Sequence, residues 1–266
     1  MLSPLYGQLS PLRVPTIAPP DADALAYIAA VEAADGATLE DGVKSAINNF
    51  VTGCKSDGIW TAMKASCILA GARTLSGALV PLVGAAPTSI SFVSGDYNRK
   101  TGLLGNATTK YLNSNRAADA DPQNSASLAI WVSTPATTTN IYYLGALRTT
   151  PTPAVYSNIS TNVGFAIRNT ASAPNSNRTG TGLAGVSRTA SNSFNWRWAG
   201  ATGTSTSAST GTYNGNIFVY GANLNGAINN RSNGRLAFYS IGESLNLAAL
   251  DSRVSTLMTA LAAAIP

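Results

Sequence analysis

Ser127-Leu-Ala-Ile-Trp-Val-Ser133 and Asn140-Ile-Tyr-Tyr-Leu-Gly-Ala146 are two short apolar runs separated by a Pro- and Thr-rich break. Both are rich in the β-branched and aromatic side chains that fit a pleated surface, and both are short for a buried helix. Comparable runs recur from about residue 88 onward, at 89–93, 154–160, 163–168, 182–188, 193–199, 216–221 and 234–240. Gly, Asn, Ser, Thr and Pro clusters divide them, which gives about nine strands. No helical pattern lies between them, so βαβ crossovers are excluded. The expected fold is mainly β, an antiparallel two-sheet jelly-roll sandwich.

Upstream of this region the apolar period is 3.6 rather than 2. After Pro19-Pro20, Asp21 or Asp23 is a candidate N-cap for a helix over 21–34 that carries Leu25, Ile28 and Val31. Asp35-Gly36 ends it. Thr38-Leu-Glu-Asp41 fits a capping box, and Val43, Ile47, Phe50, Val51 and Cys54 follow at steps of three and four. A third helix is expected from Asp57-Gly58, with Trp60, Met63, Cys67 and Ala70 on one stripe. At the other end, from Ser244, Leu247, Leu250, Val254, Leu257, Leu261 and Ile265 share one face of a terminal helix. The expected organisation is an extended arm over 1–20, a helical lead-in over 21–85, a β-sandwich over 86–245 and a C-terminal helix over 246–266.

Five prolines between Pro4 and Pro20 hold the arm extended, without a core of its own. It is nevertheless apolar. Leu2, Leu5, Tyr6, Leu9, Leu12 and Val14 have nowhere local to hide, and such an arm docks either on a neighbouring subunit or back over its own domain.

Charged residues make up only 11% of the chain, and histidine is absent. The missing imidazole removes the commonest general base, the Ser-His-Asp and Cys-His nucleophiles and most zinc or iron ligand sets. A paired-carboxylate glycosidase would need only two acids, but the β region supplies just Asp96, Asp119, Asp121 and Glu243. The expectation is therefore a chain that is not an enzyme and uses no cofactor or metal. The net charge of +5 comes from scattered residues, only Arg99-Lys100 being adjacent, so no stripe tracks a nucleic-acid backbone. No run of 18 apolar residues is free of polar interruption, so no membrane span is expected. The N-terminus lacks the layout of a secretory signal, which points to assembly in a cytoplasm.

Three further features are candidates for chemistry. Phe194-Asn-Trp196-Arg-Trp198 alternates, so the aromatics share one face and Asn195 and Arg197 the other. That face either fills the sandwich core or stacks on sugar rings, with Trp196, Trp198, Tyr213, Asn195 and Arg197 as glycan contacts. Asp119-Ala-Asp121-Pro-Gln-Asn124 spaces oxygen ligands as a sparse calcium loop does, or forms an Asx turn. Cys54 and Cys67 read as small buried hydrophobes or as a local bridge between helices.

Val93-Ser-Gly-Asp-Tyr-Asn-Arg-Lys-Thr-Gly-Leu103, Thr109-Lys-Tyr-Leu-Asn113 and Gly234-Arg-Leu-Ala-Phe-Tyr-Ser-Ile-Gly-Glu-Ser-Leu245 resemble the concanavalin A-like, laminin G-like modules of tailed-phage virion proteins. Gly53-Cys-Lys-Ser-Asp-Gly-Ile-Trp60 is similar to the helical lead-in that precedes such modules. The resemblance implies a lectin-like jelly roll displayed on a virus particle. Its partners would be tail or capsid subunits, reached through the arm, further copies of itself and host-surface glycans. The role would be that of a tail-fibre adhesin, a capsid decoration protein or, in a different class, a sugar-processing enzyme.

Overall fold

The computed structural model describes residues 19–147, 153–157, 162–169, 173–175, 179–211 and 214–266. The docking-arm residues Leu2, Leu5, Tyr6, Leu9, Leu12 and Val14, and also Tyr213, lie outside the described residues.

Two sheets face each other. The first runs, edge to edge, through Ala201–Thr206, Ser193–Trp198, Gly182–Arg188, Ala126–Thr134, Arg235–Gly242, Gly102–Leu104 and Tyr97–Asn98. Met63–Ile68 also pairs with Arg235–Gly242, alongside residues 238–242. The second runs through Ala173–Asn175, Val163–Ala166, Ala154–Ser157, Ile141–Leu147, Asn216–Val219, Tyr111–Ala117 and Thr88–Ile90. A hairpin of Ala222–Leu224 and Ala227–Asn229 joins this sheet at Ile141–Leu147. Its turn is Asn225-Gly226, both residues at positive φ (51° and 92°), the two-residue connection whose twist matches paired strands.

Alternation explains why these segments are strands. In Ala126–Thr134, Leu128, Ile130 and Val132 enter the sandwich interior with Tyr143, Val155 and Phe165. Ala129 and Trp131 turn the other way, toward the helices. Helix α1 (Ala22–Asp35), α2 (Asp41–Ser56), the single turn α3 (Leu75–Ala78) and α4 (Leu247–Ala264) complete the described elements. The Asn246 side chain caps α4 by accepting from Ala248 N and Ala249 N. Leu247, Leu250, Val254, Leu257 and Leu261 are buried along α4, as the spacing predicts, the last four in one cluster with Phe50 of α2 and Phe238 of the first sheet. Gly53 lies under the Arg253 side chain and Gly42 under Ala264, so α2 has no Cβ at either approach to α4. Arg253 then closes on Asp57 with two hydrogen bonds of 2.7 and 2.8 Å. Among the described residues no helix is long and apolar enough to cross a membrane.

Several expectations need correction. The third helix does not form: Trp60–Ala62 is one 3-10 turn and Met63–Ile68 is a strand. Ala65 and Cys67 pack into the sandwich while Met63 and Ile68 pack among the helices, so both faces are apolar and the strand period is hidden. Helix α2 starts at Asp41 behind Glu40, which makes no side-chain cap bond, so the expected Thr38 capping box is absent. Glu32 instead accepts from the Leu39 amide at 2.8 Å. The sandwich is not wholly antiparallel, because Ala222–Leu224 runs parallel to Ile141–Leu147. Strands are more numerous than expected, the short Gly102–Leu104, Tyr111–Ala117 and Ala201–Thr206 among them. Cys54 and Cys67 are both free and buried, one among the helices and one in the sandwich, and burial pushes each thiol up to about 12. No local bridge joins them.

A buried cation fixes one end of the sandwich. Arg188 is fully buried and donates to the carbonyl oxygens of Ile167 (2.9 Å), Ala190 (3.0 Å), Ser193 (3.2 Å) and Ser207 (3.1 Å). Its guanidinium also lies over the Phe194 ring at 5.4 Å. A charged donor that meets several carbonyls is worth more than neutral pairs, and its removal strands each acceptor. Arg188→Met is expected to lower the unfolding free energy by about 3 kcal/mol or more, read from the denaturant midpoint. A loss under about 0.5 kcal/mol would show that the carbonyl cage is dispensable.

Candidate binding face

The strand Ser193–Trp198 was the sequence's clearest candidate for ligand contact, and its side chains do not converge on one surface. Phe194 and Trp198 are buried in the sandwich interior, Trp198 at 1% exposure, which removes Trp198 from any surface contact. Trp196 is half-buried; its ring stacks on Phe165 at 5.6 Å and 9° and fills the space left by Gly203. On the opposite face, Asn195 is exposed and accepts from the Thr204 hydroxyl at 2.8 Å. Arg197 ties the sheet to α4, donating to Asp251 at 2.6 Å and to the Thr202 hydroxyl at 2.8 Å. Arg197 is thus a packing tie rather than a ligand donor, because its guanidinium is already engaged by a buried carboxylate.

The acids are engaged in the same way. Asp96 pairs with Lys110, Asp121 with Arg116, and Glu243 with Lys64 at 2.9 Å. Glu40 receives Arg99 at 2.7 Å and Arg73 at 3.2 Å, and Lys55 bridges Asp21 and Asp23 at 2.7 and 2.6 Å. The loop from Asp119 to Asn124 serves the fold, since the Asp121 carboxylate holds Arg116 and its carbonyl accepts from Arg168 at 2.6 Å. Among the described residues no three Cys, Asp or Glu side chains gather as a metal site would require. Among the described residues the acids of the β region that have partners are held in ion pairs with a lysine or an arginine.

What the sequence did not single out is the outward face of the second sheet. Leu112 and Ser114 point inward from Tyr111–Ala117, so Tyr111 and Asn113 point outward. Asn113 pairs with Phe218 across the ladder, and Tyr111 meets the Phe218 ring at 5.0 Å. Beside them, the Tyr142 amide donates to the Asn230 carbonyl at 2.8 Å, and the next residue, Arg231, places its guanidinium 6.0 Å from the Tyr111 ring. Tyr142 packs in a small outer cluster with Leu147, Ala154, Ala222 and Leu224. The helices α2 and α4 cluster with the first sheet, through Ala129, Leu183 and Phe238. Aromatic faces with a guanidinium and an amide beside them can stack on a sugar ring and hydrogen-bond its substituents. The signal was present in the alternation of residues 111–115, but strand pairing alone brings Tyr111, Tyr142 and Arg231 together.

A second concavity lies between α1 and α2, a groove of about 590 Å³ lined by Pro20, Leu25, Ile28, Ala29, Asn48 and Asn49, among others. The Asp21 amide is already bonded to Asn48 there, at 2.8 Å.

No protein-family model matches the chain, and no curated protein matches it. Among solved structures it is similar to the binding domain of botulinum neurotoxin serotype D, with a TM-score of 0.49 and 9% identity over 73% of this chain and 51% of that one. It is also similar to domain 4 of an extracellular arabinanase from Geobacillus stearothermophilus, in complex with arabinotriose. That match has a TM-score of 0.39 and 13% identity over 64% of this chain and 82% of the other. The chain spans about half the length of the neurotoxin domain. At these scores neither likeness assigns a role.

The ion pairs set an acid limit on the fold. Arg99 holds the Glu40 carboxyl below its ordinary value of 4.5, and Lys55 and Arg253 hold Asp21 and Asp57 below 3.8. Because these folded-state values are depressed, their stabilisation is present above the unfolded values and is lost as pH falls through the folded ones. The thermal midpoint is therefore expected to stay level from neutrality to about pH 5 and to fall below it, with a shallower acid slope in Glu40→Gln. An acid slope identical in the variant would remove Glu40 from this account.

Proposed function

We propose that the chain is a non-enzymatic virion component, a tail-fibre or tail-associated adhesin that offers the outward face of its second sheet to host-surface glycans. The observation that carries this reading is the asymmetry of the sandwich. One outer face packs under α2 and α4, while the other presents Tyr111 and Tyr142, both half-buried, with Asn113 and Arg231 near Tyr111. A neutral, hydroxyl-rich surface with few charges loses little solvation when it meets carbohydrate. The absence of histidine and the pairing of most carboxylates support a binding role over a hydrolytic one.

The resemblance to tailed-phage modules supports placing the protein on a particle assembled in the host cytoplasm. Residues 1–20 would attach it to a tail or capsid subunit, and repetition as a homo-oligomer would turn a weak single contact into avidity. A second reading is a capsid decoration protein without a soluble ligand, which the apolar content of residues 1–20 favours.

Glycan-array binding by the purified protein is expected, with at least tenfold loss in the double variant Tyr111→Ser, Tyr142→Ser at an unchanged fold by circular dichroism. A blank array would move the assignment to decoration, and release of reducing sugar would overturn the non-enzymatic reading. Deleting residues 2–20 is expected to leave a soluble core that no longer enters particles; normal incorporation would refute the docking arm.

A further inference from the structure

We propose that Arg231 and Tyr111 form the recognition point for a carboxylate-bearing saccharide; this rests on the glycan-binding reading above and names the ligand class for that face. Arg231 stands apart from every other described arginine. Arg73, Arg99, Arg116, Arg197 and Arg253 each hold a carboxylate. Arg168, Arg188 and Arg235 donate to backbone carbonyls. Arg231 is half-buried, its Nε is buried without a hydrogen-bond partner, and its one close neighbour of note is the Tyr111 ring.

Every other described arginine donates to a carboxylate or a backbone carbonyl, so a guanidinium on an outward face that does neither can take an acceptor arriving from outside. The planar fork of donors matches a carboxylate with two parallel hydrogen bonds, which a hydroxyl cannot reproduce. With Nε buried, the two terminal nitrogens are the pair that a carboxylate can reach. Tyr111 is backed by Phe218, which fixes its ring, and no described residue bonds its hydroxyl. Arg231, which lies over the Tyr111 ring, would take the acid group, with the Tyr111 hydroxyl, Asn113 and Tyr142 flanking the sugar. The chain's net charge of +5 favours the approach of such an anionic polymer.

The test uses the full chain with polygalacturonic acid and its fully methyl-esterified form, and sialyllactose against lactose, read by biolayer interferometry. The wild-type protein is expected to bind at least one acidic ligand tenfold or more tightly than its neutral counterpart, with affinity falling as salt rises. Arg231→Gln should erase that preference while keeping the wild-type melting temperature, and Arg231→Lys should restore only part of it, since an ammonium lacks the fork. If glycans bind but acid and neutral forms are equal in the wild type, or Arg231→Gln keeps the preference, this inference is wrong and the glycan-binding reading stands. If no saccharide binds at all, both fall together.

Discussion

The strand Arg235–Gly242 is the constraint on which the rest of the molecule depends. From Leu236 to Gly242 every residue is buried, and its two faces serve two different cores. Leu236, Tyr239 and Ile241 close the sandwich, while Ala237 and Phe238 receive the helices. It pairs with Ala126–Thr134 on one side and with Met63–Ile68 and Gly102–Leu104 on the other. A strand that is apolar on both faces has no solvent side, so the first sheet must be covered on both. The helices satisfy that requirement; in the second sheet Ile141–Leu147 and Val163–Ala166 are buried almost throughout, and Tyr111–Ala117 is the strand that alternates and turns Tyr111 and Asn113 outward.

Electrostatics in this chain follow from scarcity. With only 12 acids and 17 bases, most charges are committed to a partner that joins segments distant in sequence. Arg253 joins α4 to the end of α2, Arg197 joins α4 to the first sheet, and Lys64 joins Met63–Ile68 to Glu243. Such pairs contribute modestly to stability where they are exposed. Their larger effect is on register, because each fixes how one element lies on another.

Legibility from sequence followed the physics of exposure. Ser127–Ser133 could be read as a strand because it is a short run of β-branched and aromatic residues bounded by turn signals, and residues 247–265 as a helix because one face is clearly apolar. Met63–Ile68 could not, since Trp60, Met63, Cys67 and Ala70 happen to fall at steps that imitate a helical stripe. The aromatic alternation of residues 194–198 was read correctly, but position in the sandwich sends Trp198 into the core and ties Arg197 of the opposite face to α4. Tyr111 and Arg231 are 120 positions apart in the chain. Only the placement of Asn216–Val219 between Ile141–Leu147 and Tyr111–Ala117 brings them within reach of each other, and no local pattern encodes that.

The approach of Ala264 to Gly42, together with the bond from Asp21 to Asn48, puts both described ends of the chain on the helical layer. The helical layer and the Tyr111 surface therefore lie on opposite sides of the two sheets.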